Sequence, residues 1–292
     1  MSSLNDKMVI WALFDSGNGC YKQVGDTMDD VEIFSIGLDI ENKNTHFLHQ
    51  NLADYGRLFG DKSLWDNLDK LPKPDLVIAS PPCESWSVAS AMHEGNACWK
   101  RESLNEWAET TKDSSPFTIR DIRDYDGYQY NPITQTMKRV NGELCTLNLT
   151  EIIRRYQPKY WIIENPELSK IWDYMPRVLG FELPHVNKVR YSNYGYEIDK
   201  PTRFSSNLWL NLDSERRIVT EKNFKDIHGY NTRSNIPLDL VREIFTQVLE
   251  KWKSGIYGEP IKPLEYGKMG GGRLTPKQRA LEKLRKINEE SR

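Results

Sequence analysis

The sequence predicts an α/β protein built on a doubly wound, mostly parallel sheet. Short apolar runs rich in β-branched and aromatic residues alternate with helical stretches along the chain, and this alternation favours parallel strands joined by right-handed crossovers. Ligands of such sheets bind at the carboxyl ends of the strands. Asp39, Cys83 and Glu164 all fall at or just after predicted strand ends. We therefore expect these three side chains to line one cleft.

Four strands are predicted from apolar runs that end in turn residues or acids. They cover residues 9–14, 32–39, 75–80 and 160–164. The first ends in a glycine-containing turn, and the third is stopped by Pro81 and Pro82. An amphipathic helix over residues 147–156 leads into the fourth strand.

The composition is that of a globular protein, with 38% hydrophobic and 28% charged residues among 292. Without an apolar run of roughly 20 residues, which a membrane span needs, or a signal-like N-terminus, we expect a cytoplasmic protein. The four cysteines, at positions 20, 83, 98 and 145, lack paired spacing, so neither a disulfide framework nor a zinc site is expected. The net charge of −2 does not reveal whether one face is basic.

Two regions interrupt the strand–helix alternation. Residues 84 to about 141 are polar and too long for an ordinary connection, which predicts a functional insert. After a catalytic domain over residues 1–253, we expect a glycine-rich linker and a basic C-terminal helix within 254–292.

Cys83 follows the third predicted strand, in the segment Ser80-Pro81-Pro82-Cys83. Carbon 5 of cytosine is a poor nucleophile because it belongs to an aromatic ring. A thiolate that adds to carbon 6 breaks the aromaticity and makes carbon 5 enamine-like. A position just after a strand end suits a thiol that has to attack carbon 6 of a base. The alternative is a cysteine that only fills space after a proline turn.

Glu164 ends the fourth predicted strand, followed by Asn165-Pro166. Thiolate attack on cytosine leaves negative charge at N3 of the ring. A carboxyl group that shares a proton with N3 relieves this charge and can also accept a hydrogen bond from the exocyclic amine. The alternative is a helix-capping or salt-bridged acid.

Together these two segments resemble signature motifs of the cytosine-5 DNA methyltransferases, in which a Pro-Cys pair is followed by serine four positions after the cysteine and Glu-Asn-Pro comes later. Further elements in the same order extend the resemblance over roughly residues 8–250, in a form similar to small phage-borne members. They are segments 14–19, 142–144, 194–203 and 234–238. Each element is weak alone, but several in the right order are strong. The resemblance implies a Rossmann-like methyltransferase fold.

The resemblance also implies roles for the matched residues. Cys83 would be the nucleophile, Glu164 the acid at N3, and Arg203 a contact to the flipped base or its phosphate. The cofactor would be S-adenosylmethionine, converted to S-adenosylhomocysteine, with no metal. The implied cofactor-binding residues are Phe14, Gly17, Gly19, Asp39, Asp54, Pro81 and Leu144.

Individual roles follow from the family pattern. Phe14 would face the cofactor, the two glycines would let the backbone approach its methionine end, and Asp39 would accept from the ribose hydroxyls. Asp54 would contact the adenine amine, with helix capping as the alternative.

The chain departs from the family pattern at three places. Asp15-Ser16 replaces the usual alanine and glycine of the cofactor loop, and Lys200 stands where arginine or glutamine is common. The target-recognition region is reduced to about residues 207–235. Recognition would therefore be slight, or come from the insert or the tail.

The partner implied is DNA, and we expect a monomer, with a cognate restriction nuclease as a further partner to test. Cations and tyrosines of the insert suit phosphates and unstacked bases, although they could equally be solvated surface residues. They are Lys100, Arg101, Arg120, Arg123, Tyr125, Tyr128 and Tyr130.

Three other functions stay open. Ser80-Pro81-Pro82 also matches the motif of adenine and cytosine amino-methyltransferases, in which an aromatic side chain stacks on the base. An RNA cytosine-5 methyltransferase on the same fold is compatible with the small recognition region. The third alternative is a binding protein that has lost catalysis.

Overall fold

A computed structural model describes residues 7–16, 19–38, 46–102, 114–217 and 234–262. The chain separates into two compact units, Met1–Ile261 and Lys262–Arg292. Only Lys262 of the second unit is described, so the predicted C-terminal helix lies outside the described residues.

The described residues form eleven strands and five α-helices. The strands are β1 Met8–Leu13, β2 Val31–Gly37, β3 Phe47–His49, β4 Leu76–Ala79, β5 Ala91–Met92, β6 Gly95–Asn96, β7 Trp99–Lys100, β8 Thr118–Ile119, β9 Tyr160–Pro166, β10 His185–Arg190 and β11 Pro201–Ser206. The helices are α1 Cys20–Gly25, α2 Ser63–Leu68, α3 Pro132–Tyr156, α4 Ile171–Leu179 and α5 Leu238–Lys253. All four predicted strands are confirmed, as β1, β2, β4 and β9.

The main sheet confirms the predicted fold class. Its seven strands lie in the order β3-β2-β1-β4-β9-β11-β10. Neighbouring strands are parallel except for the two pairs that include β11. β11 lies between β9 and β10 and runs antiparallel to both. This reversed strand distinguishes the sheet from the 3-2-1-4-5-6 order of dinucleotide-binding sheets. It is the Rossmann-like methyltransferase arrangement.

The sheet separates two hydrophobic cores because successive strand residues point to opposite faces. Within β1, Ile10 belongs to one core and Trp11 to the other. Helices α1 and α5 cover the first face, here called the α1 side, and α2, α3 and α4 cover the second, the α3 side. Burial on both faces explains why the central strands are continuous apolar runs.

Helix α3 is longer than the predicted helix of residues 147–156. It begins at Pro132, where the side chain of Asn131 accepts hydrogen bonds from the backbone of Ile133 and Thr134. The first turns expose Ile133 and Met137, so the apolar pattern that marks the C-terminal half is missing there. The insert therefore ends near residue 131 rather than 141. Nowhere in the described ranges is a helix both long and apolar enough to cross a membrane.

The insert folds into a small antiparallel sheet of β5, β6, β7 and β8. Arg120, predicted to grip DNA, is buried and holds this sheet together. Its Nε donates to Asn96 O at 2.7 Å and its guanidinium donates to His93 O at 2.6 Å. Tyr125 is also buried, and its hydroxyl donates to Ala97 O at 2.8 Å. For these two residues the DNA-binding prediction is wrong, because their side chains are used within the insert.

Two other predicted DNA contacts are paired with acids inside the insert. Lys100 Nζ lies 2.7 Å from Asp124, and Arg123 lies 2.8 Å from Asp121. Each cation is already neutralised locally, so these residues offer little net charge to a phosphate.

Residues 255–259, predicted to begin a linker, belong to the first unit and are hydrogen-bonded within it. The backbone N–H of Gly258 donates to Lys159 O at 3.2 Å, and that of Glu259 donates to Asn207 O at 2.7 Å. The side chain of Asn207 donates back to Glu259 O at 3.0 Å. A Cβ on Gly258 would lie 2.4 Å from the Asn207 side chain, so glycine permits this close contact.

Candidate functional site

The candidate site lies at the carboxyl edge of two neighbouring parallel strands. Ala79, the last residue of β4, pairs with Ile163 of β9, and Glu164 is the next residue on β9. Cys83 comes four positions after the end of β4. The structure therefore brings Cys83 and Glu164 to the same edge on adjacent strands, as predicted. Asp39, the third residue of the predicted cleft, lies outside the described residues, as does Gly17.

The Cys83 loop is a tight turn held from both sides. The backbone N–H groups of Trp86 and Ser87 donate to Cys83 O at 3.0 and 2.8 Å. The buried amide of Asn165 donates to Pro81 O at 2.9 Å and so ties the loop to the strand that carries Glu164. Pro81, predicted to bind the cofactor, thus also fixes the loop.

Helix α3 presses on this loop at a glycine. A Cβ on Gly142 would lie 1.9 Å from Ser85 Oγ, so any larger residue would push the helix away from the loop. Leu144, the predicted cofactor contact, lies two residues further along α3 and is half-buried. Trp86 is fully buried and packs on Tyr174 with ring centroids 4.7 Å apart. These contacts make the loop a rigid platform for Cys83.

The thiol of Cys83 is half-buried and sits among acids. Burial, followed by the negative charges of Glu84 and Glu164, raises its pKa to about 11, while the positive charge of Lys200 opposes the rise. The thiol is therefore protonated at neutral pH in this state.

Glu164 is buried on the α1 side, with 7% of its surface exposed. Its Oε1 accepts a hydrogen bond from the hydroxyl of Tyr191 at 3.0 Å. Close by, the hydroxyls of Tyr21 and Ser80 are hydrogen-bonded at 2.7 Å. The charge of Glu164 raises the pKa of Tyr21 as well as that of Tyr191, after burial as the main cause. These side chains form one polar cluster under the Cys83 loop.

Arg203, the predicted contact to the base, lies on the other face of the sheet. Glu164 pairs with Phe204 in the antiparallel β9–β11 ladder, so the side chain of Arg203 points to the α3 side. Its guanidinium stacks over the Trp172 ring at 4.5 Å, and its Nε donates to Ser205 Oγ at 2.7 Å. This placement argues against the predicted role.

Lys200 is the cation that the structure brings to Glu164 and Cys83. Its ammonium lies 4.8 Å from the centre of the Tyr191 ring, and its charge acts on the Cys83 thiol. In the sequence, Lys200 is a departure from the family pattern. The alternation of side chains along a strand would place Lys200 and Arg203 on opposite faces of the sheet, and this was the signal that would have favoured Lys200. Tyr191 carried no sequence signal, because its importance comes from a contact between distant segments.

The loop predicted to bind the cofactor turns sharply after β1. Phe14 is half-buried and has a left-handed backbone with φ of 61°, which is uncommon for an aromatic residue. Asp15 is buried beneath it and accepts a hydrogen bond from Ser35 Oγ at 2.9 Å. A Cβ on Gly19 would lie 1.8 Å from the Asp15 carboxylate, and one on Gly37 would lie 2.3 Å from Asp15 O. Packing against Asp15 therefore also requires a glycine at position 19, in addition to the role predicted for Gly19.

Asp54 lies on a loop that α3 anchors. The side chain of Asn148 donates to Leu52 O and Asp54 O at 2.8 and 2.7 Å. Oδ1 of Asp54 accepts from the backbone of Gly56 at 3.2 Å, which is a local turn contact. This contact matches the capping alternative more closely than the cofactor role, although Asp54 remains partly exposed.

A cavity of about 220 Å³ opens beside α1. Its walls include Cys20 and Gln23 of α1 together with Asn235 and Ile236. Segment 234–238, which resembles the last family element, is therefore brought against the helix that follows the cofactor loop.

No protein-family profile matches this chain, and no curated protein matches it. Among solved structures, the chain is similar to a prophage-encoded Escherichia coli protein assigned as a DNA modification methyltransferase. The match has a TM-score of 0.36 and 14% sequence identity, and covers 68% of this chain. The chain spans about half the length of that protein, 46%. Similarity at this level adds nothing to the argument from strand order and site geometry.

Replacing Asp15 by asparagine should remove a pH dependence of stability. Burial raises the pKa of Asp15 from 3.8 to about 7, so the native state holds a proton that the unfolded chain releases. The stabilising contribution is complete below pH 4 and is lost as the pH rises to 7. Near pH 4 the two proteins should be about equally stable, and at pH 8 Asp15→Asn should be more stable by up to about 4 kcal/mol.

Urea unfolding of both proteins between pH 4 and 8 measures this difference. The exposed Asp29→Asn variant is the matched control and should follow the parent at every pH. A difference between Asp15→Asn and the parent that is constant over this range would contradict a buried, titrating Asp15.

The reactivity of Cys83 with iodoacetamide should depend on its charged neighbours. Because its pKa is about 11, the alkylation rate should rise about tenfold per pH unit between pH 7 and 10. Lys200→Met should slow the reaction several-fold at a fixed pH, and Glu84→Gln should speed it, since each removes a charge that shifts the thiol pKa.

Peptide mass spectrometry reports alkylation at Cys83 itself, and Cys83→Ser provides the background from other thiols. Opposite effects of the two variants are expected; equal rates in both would show that neither charge acts on the sulfur.

Proposed function

We propose that this chain is an S-adenosylmethionine-dependent DNA methyltransferase that acts on carbon 5 of cytosine through a covalent bond to Cys83. One observation carries the proposal: the Cys83 thiol and the buried Glu164 carboxyl group lie at the same edge of the sheet, where the parallel strands end. The sheet has the strand order of a Rossmann-like methyltransferase. A nucleophile and an acid on adjacent strand ends match the two needs of this chemistry.

Cys83 would open the reaction. After loss of its proton, its sulfur forms a bond to carbon 6 of the cytosine, and the electron pair of the carbon 5–carbon 6 double bond moves toward N3. Lys200 assists because its charge lowers the pKa of the thiol. Once carbon 5 carries the methyl group, water takes the carbon 5 proton, and the electron pair of that C–H bond expels the sulfur as thiolate and restores the aromatic ring.

Glu164 would act at the other end of this electron movement. A carboxyl group at N3 delivers a proton there and so keeps the ring from holding a full negative charge. Its buried position removes competing water, and the hydroxyl of Tyr191 orients one of its oxygens.

The residues at this edge fit the cofactor. S-adenosylmethionine, when bound, supplies an electrophilic methyl group to carbon 5. Phe14 offers a half-buried aromatic surface, and the cavity beside α1 offers the amides of Gln23 and Asn235 to polar groups. The acids whose charges act on the Cys83 thiol, Glu84 and Glu164, suit a ligand that carries positive charge.

The amino-methyltransferase alternative needs an aromatic side chain after the two prolines, to stack on the base. This chain has Cys83 there, tied into a turn by Trp86 and Ser87. A thiol held in this turn has no aromatic ring that could stack on the base, which supports the carbon 5 reaction.

Expression in a methylation-free bacterial host tests the proposal. Genomic DNA should acquire 5-methylcytosine when read by a sequencing method specific for that base. Cys83→Ser should abolish the modification yet bind S-adenosylhomocysteine like the parent, because the thiolate acts on the base. Cys98→Ser, a cysteine buried away from the predicted chemistry, is the control.

A duplex containing 5-fluorocytosine should trap the parent as a covalent complex, since fluorine cannot leave as a proton does. Methylation of an exocyclic amine, or retained activity in Cys83→Ser, would overturn the proposal. Methylation of RNA cytosine alone would move the substrate to RNA and keep the chemistry.

Lys170 supports a DNA substrate from outside the cleft. Its backbone N–H donates to Trp86 O at 3.0 Å, which joins it to the Cys83 loop. Within the described part of the chain its half-buried ammonium makes no hydrogen bond or ion pair. Burial, followed by the positive charge of Arg101, lowers its pKa; Asp173 opposes this, and Arg120 adds a smaller lowering effect. An ammonium group without an ion-pair partner among the described residues suits an anionic ligand, such as a phosphate next to the flipped nucleotide.

Lys170→Met should weaken binding to duplex DNA and reduce the slope of log K against log salt by about 1, the value for one lost phosphate contact. Fluorescence anisotropy at several salt concentrations gives this slope. Lys188→Met is the matched control, because Lys188 is already paired with Glu167 at 2.7 Å. Equal slopes for Lys170→Met and the parent would exclude a phosphate contact at Lys170.

A further inference from the structure

Tyr191 connects the two charged groups of the site. It is fully buried at the point where β10 ends and the chain turns toward β11. Its hydroxyl lies 3.0 Å from Glu164 Oε1, and its ring lies 4.8 Å from the ammonium of Lys200. The backbone N–H of Tyr191 also donates to Lys200 O at 3.3 Å. One side chain therefore contacts both the predicted acid, Glu164, and the nearby cation, Lys200.

The hydroxyl acts as a donor to Glu164 over the whole working pH range. Burial, followed by the charge of Glu164, raises the pKa of Tyr191 well above its ordinary value of 10. A neutral phenol can donate to an oxygen of Glu164 whether or not the carboxyl group carries the proton that it would deliver to N3. Because Glu164 is buried, the loss of this donor cannot be compensated freely by water.

The surroundings fix Tyr191 in turn. Its ring packs edge-on against the ring of Tyr196, with centroids 5.8 Å apart. The backbone carbonyl of Tyr191 accepts a hydrogen bond from the backbone N–H of Tyr196 at 3.1 Å. The hydroxyl of Thr202 donates to Lys200 O at 3.3 Å, the carbonyl to which the backbone of Tyr191 also donates. A side chain held on several sides can hold Glu164 in one rotamer, which matters because small displacements of a reacting group cost large factors in rate.

We infer that Tyr191 is a positioning residue that aims the Glu164 carboxyl at the base and keeps Lys200 beside it. The inference rests on the proposed function. It assigns no step to Tyr191, which acts through Glu164. The Glu164 oxygen that Tyr191 does not contact is the one left for the substrate.

A double-mutant cycle between Tyr191→Phe and Glu164→Gln tests the inference, with DNA from a methylation-free host as substrate. Tyr191→Phe keeps the ring and should lower kcat about 10- to 100-fold, with KM for DNA changed less than about twofold. In the Glu164→Gln background the same change should have little further effect on kcat, because the residue acts through Glu164.

The chain offers a matched control for a structural effect. The hydroxyl of Tyr160, also fully buried, donates to Ile256 O at 2.6 Å at the start of β9, the end opposite to Glu164. Tyr160→Phe should lower the melting temperature about as much as Tyr191→Phe and leave kcat nearly unchanged in both backgrounds. Losses of kcat that multiply in the Glu164→Gln background would overturn the inference.

Replacement of Tyr191 by 4-aminophenylalanine covers the case in which Tyr191→Phe does not fold. This residue keeps the ring and a donor, so kcat should stay within a few-fold of the parent. A folded protein with this residue but with kcat as low as that of Glu164→Gln would also overturn the inference. A parent without cytosine methylation would instead overturn the proposed function, and the inference with it.

Discussion

The site depends on one buried hydrogen bond, from the Asn165 amide to Pro81 O. Parallel pairing of β4 and β9 brings their carboxyl ends to one edge, but it leaves the chain beyond Ala79 free to turn in many directions. The Asn165 bond removes this freedom. The hydroxyl of Ser169 donates to Asn165 Oδ1 at 2.7 Å, so both the NH2 group and the oxygen of the amide are hydrogen-bonded. Because both partners of Asn165 are buried, an unpaired amide or carbonyl there would cost about 1–3 kcal/mol. The segment that carries Glu164 therefore also sets the position of Cys83.

The other side of the Cys83 loop is set by α3. Gly142 lets the helix approach Ser85 with no side chain between them, and Trp86 fills the space below. Two independent elements, a strand and a helix, thus hold a loop that carries a reactive thiol. Under the proposed function this rigidity has a purpose, because a nucleophile must be presented at a fixed distance from a base that enters from outside.

The sequence predicted the centre of the fold and missed its edges, for a physical reason. β1, β4 and β9 are buried on both faces, so they form apolar runs that are visible without a structure. β10 and β11 place polar residues such as Asn187 and Ser206 inside, where their side chains are hydrogen-bonded to each other at 2.8 Å. Single-sequence patterns do not show such partners. The same limit applies to the site.

Within the site, Cys83 and Glu164 could be found because each follows an apolar strand. The choice between Lys200 and Arg203 depended on which face each side chain occupies. That choice required the register of β11 against β9, in which Phe204 lies opposite Glu164. The residues of the insert failed differently: Arg120 has the composition of a DNA contact, but its partners are carbonyl groups of its own small sheet.

The charges at this edge are sorted by position, and this explains how a chain with a net charge of −2 could act on DNA. The acids Glu84 and Glu164 act on the thiol of Cys83, with Lys200 as the opposing charge. Such a cleft disfavours phosphate groups and favours an uncharged base or a cationic cofactor. Lys170, whose backbone donates to Trp86 O, is acted on by the positive charge of Arg101, with Asp173 opposing. Under the proposed function, DNA would be gripped by its phosphates outside the cleft, and only the neutral base would enter it.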